Sequence, residues 1–251
     1  MSGSAGPLAH DEGAADPAAE VEAVLAGLDE ADPVVVAGPA RRWASRGGDK
    51  LAPALERLGV AVEGRRCLDA GASTGGFTDV LLARGAAQVV AVDVGYGQLD
   101  LRLRQDPRVR VLDRTNVREL DPVGLGGPVD LTVADLSFIS LRLALPVLAG
   151  LTRPDGDLVL LVKPQFEAGR EAVGRGGVVR DPAARAAAVR AVAEVGAGLG
   201  LGVAGICPSP LPGPAGNLEL FLQLRADAAP LDEADLLAAV AEGATLPGAA
   251  R

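Results

Sequence analysis

Short apolar strands alternate with helical segments along most of the sequence, and this alternation restricts the possible folds more than any other feature. Runs rich in Val, Leu and Ala predict strands at residues 66–70, 88–93, 109–112, 129–135, 158–163, 201–207 and 218–224. Helical spacing predicts helices at residues 51–58, 75–84, 98–105, 141–151, 183–199 and 232–240. Strands connected through helices are typical of an α/β fold with a mainly parallel, doubly wound sheet, which here closes with an antiparallel last strand.

Charge divides the chain of 251 residues into three parts. Residues 1–33 hold eight acidic and no basic side chains, and their Ala, Gly and Pro content predicts a disordered tail with at most a short helix at residues 18–28. Residues 34–225 carry a net charge of +3, although the whole chain carries −9, and they form one predicted α/β domain. Residues 226–251 are predicted to form a C-terminal helix and tail.

Composition excludes several classes of protein and of site. No apolar run reaches the roughly 18 residues of a membrane span and no signal peptide is recognisable, so we expect a cytoplasmic protein without a membrane partner. Cys67 and Cys207 are too few for a disulfide framework, and the single histidine, His10, lies in the acidic tail. We therefore expect no metal site and no histidine-dependent catalysis, which leaves acid–base chemistry to Lys, Asp, Glu or Tyr.

Lysine is almost absent from the sequence. Of the 24 basic residues, only Lys50 and Lys163 are lysines. Because lysine, unlike arginine, can lose its proton when buried or close to other charges, both are candidates for general-base catalysis. The alternative is that two lysines remain by chance. The arginines cluster at residues 41–46, 102–118 and 170–180, where they either contact phosphates or lie on ordinary solvated faces.

A glycine-rich turn, L-D-A-G-A-S-T-G-G at residues 68–76, follows the first predicted strand. Its small residues allow a ligand to approach the backbone closely at the start of a helix. Asp69 lies just before the first glycine of this motif and suits a cationic or amino-bearing ligand. Asp93 ends the second strand and suits two ribose hydroxyls. Together these features predict a site for S-adenosylmethionine. The alternative is a purely structural tight turn.

Ionisable side chains also lie at the ends of later strands. Asp135 ends the fourth predicted strand, Lys163 ends the fifth, and Glu219 lies in the last. Charged groups beside apolar strands are costly unless they have partners or face a ligand. With Lys50, these residues are predicted to converge beside the bound cofactor. The alternative is that Asp135 caps the next helix and Glu219 pairs with a surface arginine.

Eight motifs between residues 45 and 224 occur together in the order of a known family. They are S-R-G-G-D-K-L, L-D-A-G-A-S-T-G-G-F-T-D, A-V-D-V-G-Y-G-Q-L, D-R-T-N-V-R, A-D-L-S-F-I-S-L, V-K-P-Q-F-E, G-G-V-V-R-D-P and G-N-L-E-L. This set resembles the TlyA family of ribosomal RNA ribose methyltransferases, which is related to the FtsJ-like enzymes and also labelled as hemolysins. The resemblance implies a Rossmann-like fold, S-adenosylmethionine as the methyl donor, and cytidine 2′-O-methylation of 16S or 23S ribosomal RNA. It also implies a catalytic tetrad of Lys50, Asp135, Lys163 and Glu219.

The matched motifs predict the remaining site residues. The predicted cofactor-binding residues are Asp69, Gly71, Ser73, Thr74, Gly75, Gly76, Phe77, Asp93 and Asn116, although Phe77 equally suits the core. Residues expected to contact the RNA backbone are Arg46, Arg170, Arg175 and Arg180. In the predicted reaction Lys163 takes the hydroxyl proton, Asp135 and Lys50 set its protonation, and Glu219 completes the hydrogen-bond network.

The N-terminal sequence departs from the family pattern. Family members usually begin with a small basic RNA-binding module, whereas the residues before Val34 are acidic, so we expect the module to be missing or the start site to be wrong. The alternative functions are methylation of another substrate, a non-catalytic ribosome-binding role and pore formation. No membrane segment or basic amphipathic helix supports the last of these. A monomer is expected.

Overall fold

The computed structural model describes residues 42–248, so the predicted acidic tail at residues 1–33 lies outside the described residues. The helices are α1 (Arg46–Arg57), α2 (Gly76–Ala83), α3 (Leu101–Arg104), α4 (Pro122–Leu125), α5 (Leu141–Leu151), α6 (Pro164–Glu167), α7 (Pro182–Gly198) and α8 (Glu233–Gly243). The strands are β1 (Arg66–Ala70), β2 (Gln88–Val92), β3 (Val109–Leu112), β4 (Val129–Ala134), β5 (Thr152–Val162), β6 (Gly202–Pro208) and β7 (Leu220–Arg225). Two 3₁₀ turns cover Val117–Glu119 and Arg170–Ala172.

The seven strands form one sheet in the order β3-β2-β1-β4-β5-β7-β6. Neighbouring strands from β3 to β5 pair in parallel, whereas β7 runs antiparallel to both β5 and β6. This confirms the predicted mainly parallel, doubly wound sheet with an antiparallel last strand. None of the helices between residues 42 and 248 is long and apolar enough to cross a membrane.

Helices cover both faces of the sheet. Leu68 on β1 packs into one cluster with α5 and α7, while its neighbour Cys67 packs into the other cluster with α1 and α2. Successive side chains of a strand point to opposite faces, so β1 is buried on both sides. This explains why the central strands are continuous apolar runs rather than alternating ones.

Strand β5 is longer than the sequence predicted. It begins at Thr152, and the pairing moves from Val129 with Thr152 to Leu131 with Asp157, so residues 153–156 bulge out of the ladder. The bulge contains Arg153, Pro154 and Asp155, which are exposed. Because this part of the strand consists of polar residues, proline and glycine, it contains no apolar run from which a strand could be predicted.

The topology brings the predicted catalytic positions to one edge of the sheet. Asp135 directly follows β4 and Lys163 directly follows β5, at the carboxyl ends of two parallel neighbours. Glu219 directly precedes β7, whose first residue pairs with the last residue of β5 in the antiparallel register Val162 with Leu220. Because β7 is antiparallel to β5, its amino-terminal end lies at the same edge of the sheet as the carboxyl ends of the parallel strands.

Candidate active site

Helix α1 carries Lys50 to the edge of the sheet. Ser45 caps the helix by accepting a hydrogen bond from the Gly47 amide at 3.3 Å. The first turn packs closely on the start of α2, because a Cβ at Gly76 would collide with Ser45 and the Gly48 backbone. Besides its predicted role of letting a ligand approach the backbone, Gly76 therefore also allows α1 to pack closely on α2.

Lys50 and Glu219 form a buried ion pair. Lys50 Nζ donates to Glu219 Oε2 at 2.6 Å, and the two residues are only 7% and 1% exposed. Burial raises the pKa of Glu219, although the positive charge of Lys50 opposes this shift. The second oxygen, Oε1, is buried without a hydrogen-bond partner among the described residues. The alternative that Glu219 pairs with a surface arginine is therefore wrong.

Lys163 and Asp135 form a second pair beside the first. Lys163 Nζ lies 2.6 Å from Asp135 Oδ1 and donates a hydrogen bond to Ser137 Oγ at 2.8 Å. The charges of Lys163 and Asp135 both act on the pKa of Glu219, which places the two pairs in electrostatic contact. The cap of α5 is Ser140 rather than Asp135, so the helix-cap alternative for Asp135 is also wrong.

Two adjoining cavities open at this edge. The larger has a volume of about 440 Å³ and the smaller about 170 Å³, and their walls share Gly71, Ser73 and Asp135. Because Asp135 lines both and contacts Lys163, the Lys163–Asp135 pair lies next to the space where ligands would bind. The larger cavity is of the size that small-molecule sites occupy.

The predicted cofactor-binding residues divide into two groups. Several line the cavities: Gly71, Ser73, Asp93 and Asn116 line the larger, and Gly71, Ser73, Thr74, Gly76 and Phe77 the smaller. Phe77 is also buried against Phe221, with ring centroids 6.1 Å apart, so the core alternative applies to it as well. Gly75 and Asp69 do not line either cavity. Gly75 has a φ of 99° and packs beneath Leu99 and Leu103.

Asp93 organises the rim of the larger cavity. Its Oδ2 accepts a hydrogen bond from the Ser73 amide at 2.8 Å and its Oδ1 accepts one from the Gly95 amide at 2.7 Å. Ser73 adopts a left-handed φ of 48°, and Gly71 has a φ of 87° where a Cβ would meet the Asp135 carbonyl. The Asp93 carboxylate therefore fixes the glycine-rich turn, at Ser73, to the loop that follows β2, at Gly95.

Asp69 lies beneath the turn and is fully buried. The Thr78 hydroxyl donates to its Oδ2 at 2.7 Å, while Oδ1 has no hydrogen-bond partner within residues 42–248. Burial raises the pKa of Asp69 to about 7, and the Thr78 hydrogen bond only partly offsets this. Direct contact between Asp69 and a cofactor stays a prediction.

Most arginines at residues 102–118 are engaged within the protein. Arg102 pairs with Asp79, Arg104 with Asp113 and Arg108 with Asp106, at 2.8, 2.6 and 2.7 Å. Arg110 donates to the carbonyls of residues 124 and 125, and Arg114 stacks on Tyr96 with 4.2 Å to the ring centroid. These contacts favour a structural role over phosphate binding for this cluster.

The predicted RNA-contacting arginines have different surroundings. Arg46 lines the smaller cavity and donates to the Pro212 carbonyl at 3.3 Å. Arg175 and Arg180 are exposed, and neither forms an ion pair with any residue of the described range. The side chain of Arg170 lies outside the described part of the structure. Charge at Arg46, Arg175 and Arg180 is thus available to a polyanion.

Sequence reasoning missed three residues near the site. Ser137 accepts from Lys163, and Phe138 at the cavity wall is 91% exposed with a left-handed φ of 63°. The Phe138 ring lies 5.5 Å from that of Phe166. In a chain with 2% aromatic residues, the available signal was one phenylalanine three residues after each of Asp135 and Lys163, within the same motifs.

The model of the FtsJ-like methyltransferase family matches residues 43–226, which include both ion pairs and both cavities. The chain belongs to this family. This FtsJ-like methyltransferase is 62% identical over 191 residues to the 16S/23S rRNA (cytidine-2′-O)-methyltransferase TlyA of Mycobacterium tuberculosis, covering 76% of this chain and 71% of that protein. It is 37% identical over 179 residues to Hemolysin A of Brachyspira hyodysenteriae, covering 71% and 75% of the two chains. These matches confirm the resemblance to TlyA.

A solved structure supports the same relationship. The structure of a protein from Streptococcus thermophilus that carries the name hemolysin superposes with a TM-score of 0.78 and 42% identity, covering 82% of this chain and 76% of that one. The FtsJ-like methyltransferase therefore shares its fold with a protein named for a different activity.

Proposed function

We propose that this FtsJ-like methyltransferase transfers a methyl group from S-adenosylmethionine to ribose 2′-hydroxyls of ribosomal RNA, with cytidines of 16S and 23S RNA as targets. The observation that carries the proposal is that the pairs Lys50–Glu219 and Lys163–Asp135 lie at one edge of the sheet, where Asp135 lines both cavities. The name and identity of the mycobacterial relative support the choice of substrate. Action on ribosomal RNA also accords with a cytoplasmic location.

The larger cavity fits a nucleoside-type cofactor. Its volume of about 440 Å³ lies where the strands end, and its walls combine a carboxylate, Asp93, with the amide side chains of Gln98 and Asn116. Asp93 would face the ribose hydroxyls, and the glycine-rich turn would face the amino acid portion. When bound, S-adenosylmethionine supplies a methyl group on a sulfonium centre.

Each side chain of the two ion pairs would have its own role in the reaction. Lys163 would accept the 2′-hydroxyl proton at Nζ, which lies 2.6 Å from Asp135 Oδ1 and contacts the hydroxyl of Ser137. Asp135, 2.6 Å from this nitrogen, would stabilise the ammonium that forms. Glu219 holds Lys50 in place through the 2.6 Å contact. These residues also orient the ribose oxygen toward the methyl group.

Aromatic and cationic groups supply the substrate side of the site. The exposed Phe138 ring offers a stacking face for the target base, because sequence-specific RNA recognition uses unstacked bases on aromatic side chains. Arg46, Arg175 and Arg180 would contact the flanking phosphates. The reaction then needs a nucleotide that is displaced from its helix and placed with its ribose at Lys163.

The test is methyl transfer to undermodified ribosomal subunits. Labelled S-adenosylmethionine is incubated with small and large subunits, and the RNA is then hydrolysed in alkali, because a 2′-O-methyl group blocks cleavage at its own linkage. Labelled, alkali-resistant dinucleotides are the expected product. Labelled protein, or alkali-labile label, would contradict ribose methylation.

The decisive variant is Lys163→Arg. Arginine keeps the positive charge opposite Asp135 but cannot serve as a base, so transfer should be lost while S-adenosylmethionine binding persists. Arg190→Ala is the control, since Arg190 pairs with Glu233 on the exposed surface and lines neither of the two cavities. Full transfer by Lys163→Arg would show that this side chain does not accept the proton.

A further inference from the structure

A short arginine-bearing loop lies beside the catalytic edge. We call residues 174–180 the basic hairpin, because Gly174 and Val178 pair as an antiparallel bridge, with the Gly174 amide donating to the Val178 carbonyl at 3.0 Å. Gly176 and Gly177 have φ values of 79° and 76°, which the reversal of the chain requires. Arg175 and Arg180 are exposed at this hairpin. A loop so rich in glycine loses much conformational entropy when it is ordered.

Asn217 holds the basic hairpin from below. It is only 1% exposed, and its Oδ1 accepts a hydrogen bond from the Val179 amide at 2.9 Å. Its Nδ2 donates to the Gly177 carbonyl at 2.8 Å. Arg185 on α7 donates from Nε to the Val179 carbonyl at 2.9 Å, so the backbone of Val179 is held on both sides. One side chain thus satisfies two backbone groups 38 and 40 residues away in sequence.

The segment that contains Asn217 also contains Glu219 of the Lys50–Glu219 ion pair. The Gly213 amide donates to the Asn217 carbonyl and the Ser209 amide donates to the Glu219 carbonyl, both at 2.9 Å. A Cβ at Gly213 would come within 2.6 Å of Glu219 Oε1, so this turn lies directly against the carboxyl group. The segment at residues 209–219 therefore both holds the basic hairpin, through Asn217, and carries Glu219.

We propose that Asn217 is a positioning residue that fixes the basic hairpin, so that Arg175 and Arg180 meet the substrate phosphates while the ribose lies at Lys163. The inference rests on the proposed function, because it needs an RNA substrate. Pre-ordering the hairpin lowers the entropy cost of binding, which is otherwise paid when RNA arrives. Asn217 acts through the arginines and does not touch the reacting atoms.

The test compares Asn217→Ala, the double variant Arg175→Ala with Arg180→Ala, and the triple variant, all in the full chain. Affinity for ribosomal subunits is measured over a range of salt concentrations. Each lost phosphate contact should reduce the slope of log affinity against log salt by roughly 0.7 to 0.9, so about 1.5 for two contacts. Asn217→Ala should reproduce the double variant, and the triple variant should add almost nothing, because both changes remove the same contacts.

Further readouts separate positioning from general damage. Asn217→Ala should raise KM for subunits with little change in kcat at saturation, leave S-adenosylmethionine affinity unchanged, and speed hydrogen exchange at the Val179 amide. Additive effects in the triple variant, or an unchanged salt slope, would overturn the proposal while methyl transfer by the parent still stood. A parent that binds and methylates no RNA would overturn both proposals together. Loss of cofactor binding in Asn217→Ala would show that the residue is merely structural.

Discussion

Asp69→Asn tests how the buried acid beneath the glycine-rich turn affects folding. Burial raises the pKa of Asp69 to about 7, whereas in an unfolded chain the carboxyl ionises near its ordinary value of about 3.9. As pH rises, the unfolded state therefore loses this proton first. The contribution to the free energy of unfolding is fully present below about pH 4, falls as pH rises toward about 7, and then levels off. The whole decrease is roughly 4 kcal/mol.

Asparagine keeps the shape of the side chain and can still accept the Thr78 hydrogen bond, but it cannot ionise. The unfolding free energy of the variant, minus that of the parent, should increase by about 2 to 3 kcal/mol from about pH 5 to about pH 8. Urea denaturation at a series of pH values, followed by the fluorescence of Trp43, measures this difference. The constant offset from the unpaired amide N–H does not enter the comparison.

Asp235→Asn is the matched control. Asp235 is exposed to solvent near the start of α8, as it would be in the unfolded chain, so the stability curve of Asp235→Asn should run parallel to that of the parent. If Asp69→Asn also ran parallel to the parent, the carboxyl would ionise similarly in the folded and unfolded states. The physical reasoning that links its burial to its raised pKa would then be refuted.

Three other substitutions give distinct outcomes. Lys50→Met leaves Glu219 buried without its cation, so the free energy of unfolding at neutral pH should fall by about 3 to 5 kcal/mol and recover as acid protonates Glu219, as urea titrations would record. Asp93→Ala releases the amides of Ser73 and Gly95, so calorimetry should show at least a roughly tenfold loss of S-adenosylmethionine affinity, worth about 1.4 kcal/mol. Phe138→Gly relieves a left-handed φ, so thermal stability should not fall, while affinity for ribosomal subunits should drop about tenfold through lost stacking.

The parallel part of the sheet was predictable because the sequence rules are local. Strand β1 at Arg66–Ala70, strand β3 at Val109–Leu112 and helix α5 at Leu141–Leu151 have the predicted bounds, since apolar runs and capping residues mark both ends. Helix α3 is shorter than predicted, because Asp100 caps it by accepting a hydrogen bond from the Arg102 amide, so that residues 98–100 belong to the preceding loop. The 153–156 bulge depends on pairing with β4, which the sequence of β5 alone does not contain.

The candidate site was predictable in composition but not in its pairings. The scarcity of lysine indicated Lys50 and Lys163, and the strand-end rule indicated Asp135. Nothing local joins Lys50 to Glu219 rather than to Asp135, because that choice depends on the antiparallel entry of β7 beside β5. The role of Asn217 was equally hidden, since its two hydrogen bonds go to a loop 38 to 40 residues earlier.

The contact between Lys50 and Glu219 joins positions 169 residues apart, and the strand that follows Glu219 lies between β5 and β6 rather than at the edge of the sheet. During synthesis, Lys50 therefore leaves the ribosome long before Glu219 and strand β7, which complete the ion pair. Until β7 enters, β5 keeps an open, apolar edge that can pair with other chains. Because the proposed reaction uses the Lys50–Glu219 pair, it could begin only after β7 has entered the sheet between β5 and β6.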